Sequence, residues 1–163
     1  MSPKSVAMIV VVLLVVFGTL SSAVAQMPNP YGLAISVENA KKAAAPALAE
    51  AAKNNWRVAV AIVGPAGTLI YYEKMDNTQL GSAEVAIDKA RTAALFKRPT
   101  KAFQDVLAGG GDGLRVLTLK GVVAVEGGIP LVMDGKIVGA IGVSGATSAQ
   151  DAQCAKAGAD TVK

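Results

Sequence analysis

"GKIVGAIGVSGATSAQDAQCAKAGAD", Gly135 to Asp160, is the stretch on which the fold turns, because glycines recur at every third position, Gly139, Gly142 and Gly145, just before a segment with helical spacing. Such a run either cradles a phosphate or lets two pieces of backbone pack closely. Asp134-Gly135 is a strong two-residue hairpin signal between "IPLVM" and "KIVGAIGV". Gly139 and Gly142 therefore fall inside a strand that leaves an antiparallel hairpin, whereas a dinucleotide fingerprint occupies the turn after a parallel strand. No Gly-Lys pair is followed by Ser or Thr, so there is no P-loop. Close packing is the better reading, since a glycine in a strand admits another backbone, a helix or a flat ligand. Period-two alternation puts Ile137, Gly139, Ile141 and Val143 on one face and Val138, Ala140, Gly142 and Ser144 on the other. The second face is small, so a helix or a partner subunit is expected against it. Ser148 and Asp151 read as an S-x-x-D capping box for a terminal helix with Ala152, Ala155, Ala159 and Val162 on one side. Gly145, beside that helix, is the one glycine of the three expected to set amides against an anion such as a carboxylate.

Working outward, Ser36 reads as the N-cap of an alanine-rich helix with Glu38 in its first turn, running to about Asn54, and Pro46 is expected to kink it. "WRVAVAIV", the turn "GPAG" and "TLIYYEK" form a hairpin from Trp56 to Lys74. After the loop "MDNTQLG", Ser82 is expected to cap a helix whose Ala83, Ala86, Ile87, Ala90, Ala93 and Ala94 share one face, with Pro99 ending it. A short helix from Thr100 to about Leu107 then precedes a flexible "GGGDG", Gly109 to Gly113, and an apolar strand that ends at Glu126.

The N-terminus carries Lys4, an apolar run from Val6 to Leu20, and then "SSAVAQ" with Ala23 and Ala25 in the small-residue pattern of a cleavage site. Residues 1–25 are expected to be a cleaved secretory signal and residues 26–163 one domain, secreted or periplasmic. An uncleaved anchor is the alternative, but the run falls short of the about 20 apolar residues that span a bilayer. Losing Lys4 takes the formal charge from +4 to +3. That excess is spread along the chain, and aromatics are only 4% of it, so nucleic-acid binding is disfavoured. Cys154 is the only cysteine, so no internal disulfide forms; it reads as a small buried hydrophobe rather than as a ligand or nucleophile. Histidine is absent. That excludes His-paired serine or cysteine nucleophiles, histidine zinc sites and histidine general bases.

"KMDNTQLGSAEVAIDKARTAALFKRPT", Lys74 to Thr100, and "GGIPLVMDGKIVGAIGVSGATSAQDAQCAKAGAD", Gly127 to Asp160, closely resemble the GlcG/HbpS-like family, which includes extracellular haem-binding proteins and the C-terminal domain of some corrinoid adenosyltransferases. The resemblance covers nearly the whole mature chain. It implies an α/β (α+β) fold, a profilin-like or PAS-like five-stranded antiparallel sheet flanked by helices, assembled as a homo-oligomer, often an octamer. It also implies haem or a related tetrapyrrole as ligand. Two departures stand out: Gly64 in "VGPAG" replaces an aspartate common among relatives, and Lys74 replaces an arginine before Met75-Asp76. With no histidine, haem iron is left with Met75, Met133, Cys154, Tyr71, Tyr72, lysine or a hydroxyl.

Ligand contacts are expected where the helix beginning at Ser82 meets the strand end "GVSG". Lys89, Arg91 and Arg98 are candidates to pair with ligand carboxylates, haem propionates included, with Thr92 and Thr100 as hydrogen-bond donors and Phe96 as a stacking surface. Gly128, Ser144 and Gly145 complete the set, and Glu126 is the acid that desolvation would turn into a base. A solvated helix face explains the cations as well, N-capping explains Thr100, and surface solvation explains Glu126. The leading expectation is an exported small-molecule-binding protein with no nucleic-acid partner and no membrane association after signal cleavage. The alternatives are an enzyme using Glu126 or Lys89 for proton transfer on a small carboxylate, and a ligand-free structural oligomer.

Overall fold

The structure, a computed structural model, describes residues 27–163; the expected signal, residues 1–25, lies outside them. In chain order the elements are α1 (Val37–Lys53), β1 (Ala59–Val63), β2 (Leu69–Lys74), α2 (Ser82–Phe96), α3 (Lys101–Ala108), a 3-10 helix (Gly111–Thr118), β3 (Gly128–Met133), β4 (Lys136–Ser144) and α4 (Ser148–Ala159). The strands pair antiparallel in the order β2-β1-β4-β3. α2 covers one face of the sheet, while α1 and α4 pack together on the other. A strap ahead of α1 adds to β4 beyond the end of β1: Gly32 N donates to Ile137 O at 2.8 Å, Ile137 N to Pro30 O at 2.9 Å and Ile35 N to Val138 O at 2.9 Å. The strap begins at Met27, whose amide donates to Lys97 O at 2.8 Å.

The central strands are buried on both faces, which is why β1 and β4 read as continuous apolar runs. On the α2 side the core is almost all alanine: Ala59, Ala61 and Ala140 from the sheet meet Ala86, Ala90, Ala93 and Ala94. Side chains this small let the helix backbone come down onto the sheet. A Cβ on Gly142 would collide with the carbonyl oxygen of Ala86 and stand 2.6 Å from the amide nitrogen of Ala90. Gly142 is thus a contact between backbones, as its place on the small face predicts. The other face is packed with larger residues, Val60, Ile62, Ile141 and Val143, against Ala43, Ala47 and Cys154. Val138 joins this face instead of the small one, because the β3–β4 register shifts between Leu131 and Val132 and leaves Val138 unopposed.

Ser36 caps α1, its side chain accepting from Asn39 N, and the helix runs unbroken through Pro46 to Lys53. The other caps differ from the expectation. Ser82 is the first residue of α2, preceded by Gly81 without a side-chain cap, and its hydroxyl instead accepts from Gln79 Nε2 at 2.9 Å. α4 is capped one residue early: Thr147 N donates to Gln150 Oε1 at 3.1 Å and Gln150 N to Thr147 Oγ1 at 3.4 Å, so the box is Thr147–Gln150 and not Ser148–Asp151. α2 ends at Phe96 because Lys97 turns left-handed, two residues before Pro99.

The sheet has four strands among the described residues, not five. The apolar stretch before Glu126 has its polar backbone groups taken by side chains. Val123 N donates to Thr92 Oγ1 at 3.0 Å, Thr92 Oγ1 donates to Gly121 O at 3.2 Å, and Glu126 N donates to Gln104 Oε1 at 2.8 Å. Side chains from two helices thus hold this segment in an irregular path and take amides that a strand ladder would use. "GGGDG" is likewise not an open linker, since its last three residues start the 3-10 helix.

Candidate functional site

Lys89, expected at a ligand carboxylate, is 1% exposed. Its Nζ donates to Asp151 Oδ2 at 2.8 Å and to Val143 O at 3.0 Å. Asp151 Oδ1 accepts from Ala146 N at 3.0 Å. The amide set against an anion at this turn is that of Ala146, the residue after Gly145, and the anion belongs to the protein. Burial pushes the Asp151 carboxyl above its ordinary value, opposed by the Lys89 ammonium and the Ala146 amide. The cluster ties α2 to the start of α4 across the end of β4. Two of the three Lys89 N–H donors are spent on these internal partners, and the ammonium is closed off from solvent.

Thr92, Thr100, Gly128 and Ser144 are internal as well. Thr92 holds the 121–123 segment as described. Thr100 Oγ1 accepts from Gly128 N at 2.9 Å while Thr100 N donates to Gly128 O at 3.0 Å, and a Cβ on Gly128 would meet Thr100 Cγ2 at 2.7 Å. Thr100 thus ties α3 to the free edge at β3 and makes no side-chain cap. Ser144 Oγ donates to Ser82 Oγ at 3.3 Å. Arg91 is turned toward the β1–β2 turn, donating from Nε to Gly67 O at 3.3 Å and from Nη1 to Asp88 at 3.2 Å.

Phe96 and Arg98 stand apart from that internal set. The guanidinium of Arg98 lies 5.4 Å over the ring of Phe103, and Phe96 meets the same ring edge-on at 5.4 Å between centroids. Arg98 Nε donates to Phe96 O at 3.2 Å. Stacked and tethered in this way, the guanidinium keeps its terminal nitrogens for a ligand. It borders a groove of about 290 Å³ between α3 and the 3-10 helix, with a floor of Ala102, Phe103, Val106, Val116 and Leu119 and with Arg115 also on its wall. Neither arginine is in an ion pair among the described residues. The residues that line the groove include no acid. An apolar floor beside two free guanidiniums suits a flat, apolar anion. Glu126 lies nearby on the far side of α3, where its amide is held by Gln104.

Phe103 and Arg115 were not singled out from the sequence. The signal for them was present, since "LRVLTL" after the glycines repeats apolar residues at helical spacing and leaves its leucines facing outward; Leu117 is 71% exposed.

The candidate iron ligands are scattered. Cys154 is fully buried, and burial raises its thiol from 9.0 to about 11. Met75 packs against the α1/α4 core, and the Tyr71 hydroxyl is bonded to Glu73 on β2. Met133 borders a second groove of about 330 Å³, between the strap and the β3–β4 turn. Among the described residues no three His, Cys, Asp or Glu side chains converge as a metal site, and no helix is long and apolar enough to cross a membrane.

The fold and the groove define a class: a small α+β domain whose one antiparallel sheet is flanked by helices and whose outer helices frame a cationic, apolar groove. Residues 35–160 match the family described as haem degrading protein HbpS-like, and the chain belongs to that family. Protein GlcG of Escherichia coli strain K12 is 42% identical over 95 residues, 58% of this chain and 69% of its own. The crystal structure of a double mutant of Streptomyces reticuli HbpS superposes with a TM-score of 0.74 at 31% identity, covering 81% of this chain and 89% of its own. That of a PduOC:heme complex gives 0.72 at 30% identity, covering 80% and 96%.

Proposed function

We propose that this chain is an exported protein that binds haem or a related tetrapyrrole in the groove between α3 and the 3-10 helix. The observation that carries this reading is Arg98 held over Phe103, beside Arg115 and an apolar floor. A tetrapyrrole has the matching chemistry, with flat apolar faces and carboxylates on one edge. The floor fits the macrocycle and the two guanidiniums fit the propionates. A relative of 30% identity has been crystallised with heme, which supports the same ligand class here. The apolar run with Ala23 and Ala25 before the domain supports export, and the outward-facing Leu114 and Leu117 support assembly as a homo-oligomer.

Titrating the purified mature protein with hemin is expected to saturate at one per chain, with a Soret band unlike that of free hemin. Arg98→Ala and Arg115→Ala should each weaken binding on the order of 10- to 100-fold, since a desolvated charge-assisted contact contributes about 1.5–3 kcal/mol. Featureless binding that never saturates would remove haem as the ligand.

A further inference from the structure

Haem proteins that grip the iron do so through histidine, cysteine, methionine or tyrosine. This chain has no histidine anywhere in its 163 residues. None of the residues that line the α3 groove is a methionine, cysteine or tyrosine; the one hydroxyl there is Thr118, a neutral alcohol outside the usual set of haem ligands, whose proton is donated to Arg115 O at 2.7 Å. Tyr31 and Met27 are in the strap beside Lys97, where the Tyr31 hydroxyl donates to Ala94 O and Leu95 O at 3.0 Å and the Met27 amide donates to Lys97 O at 2.8 Å, and neither lines the groove. The other candidates belong to other parts of the fold. Tyr71 and Tyr72 are on β2, at the opposite edge of the sheet from β3, to which Thr100 ties α3. Met133 borders the strap groove, and Cys154 is sealed between α4 and the sheet. What the groove does offer is directed at the organic part of a ligand: a guanidinium stacked on Phe103, a second guanidinium on Arg115, and an aliphatic floor.

Given the tetrapyrrole reading of this groove, we propose that it selects tetrapyrrole dicarboxylates by their carboxylates and faces alone, so that the metal is dispensable and a metal-free porphyrin binds as well as haem does. Arg98 and Arg115 set the affinity, and the iron, where present, adds no bond from the protein.

The test compares three probes on the mature protein: hemin, metal-free protoporphyrin IX, and the dimethyl ester of protoporphyrin IX. Hemin and protoporphyrin IX are expected to saturate with Kd values within about threefold of each other, because an iron–ligand bond would separate them by far more. The dimethyl ester, which keeps the macrocycle and loses both charges, should bind on the order of 100-fold more weakly. Arg98→Ala should weaken hemin and protoporphyrin IX by the same factor, while Met133→Ala should leave both affinities and the hemin absorbance spectrum unchanged. Hemin binding more than about 30-fold tighter than protoporphyrin IX would overturn metal-independent recognition and leave the tetrapyrrole reading standing. A dimethyl ester that binds as tightly as the free acid would overturn recognition through the carboxylates. If neither porphyrin saturates, the tetrapyrrole reading itself falls, and this proposal with it.

Discussion

Lys89 and Asp151 are 62 positions apart, and each had an ordinary explanation in the sequence: a cation on a solvated helix face, and the acid of an S-x-x-D box. Their pairing was not legible because nothing local marks a salt bridge between distant elements, and because a capping box shifted by one residue satisfied the same pattern. Burial gives the pair asymmetric consequences. Lys89→Met strands a buried carboxylate and should cost about 3–5 kcal/mol in denaturant unfolding, whereas Lys89→Met with Asp151→Leu should recover most of that loss. A double variant no more stable than the single one would show that the charges themselves hold α2 to α4. Cys154, by contrast, behaves as its sequence context suggested. Its native thiol, raised to about 11, keeps a proton that the unfolded chain releases near 9, so its contribution to stability is present below about pH 9 and declines as the pH rises through 11. Stability should therefore fall more steeply between those values in the wild type than in Cys154→Ala. Thiol reagent at pH 8 should label the denatured chain and leave the native protein untouched.

At the scale of elements, periodicity and turn chemistry located the four α-helices and the four strands of the described residues, because those signals are local: Asp134-Gly135 for the β3–β4 hairpin, Ser36 for the start of α1, the alanine face for α2. What failed was the stretch before Glu126. Its apolar alternation is strand-like, yet Thr92 and Gln104, from helices elsewhere in the chain, take up its amides. The 3-10 helix was hidden behind three consecutive glycines. Gly142 tests the best of these readings. In Gly142→Val the side chain would have to displace the α2 backbone, so a loss beyond the about 1–3 kcal/mol of ordinary core overpacking is expected. Thermal unfolding and size-exclusion mass should both change, with any loss of ligand affinity following from them. A stable, correctly assembled variant that fails only to bind would mean that β4 faces a ligand there and not a helix.

For the molecule as a whole, the family was legible because its two long motifs lie on the α2 and β3–β4–α4 segments that build the core. The groove was only half legible. Phe96 and Arg98 were visible at the end of the α2 motif, but the residues that complete their surroundings come from α3 and the 3-10 helix, which lie between the motifs. Core motifs report on what must pack, while a groove built from connecting segments is free to differ between relatives.

The strap has a practical consequence of its own. Because Met27 is hydrogen-bonded to Lys97, a purification tag or fusion partner joined ahead of Met27 would start beside the residue that precedes Arg98. Its bulk and charge would compete there with any incoming anion. Lys163, which follows α4 on the other side of the sheet and borders a groove with Met133, is the better point for immobilising or labelling the protein.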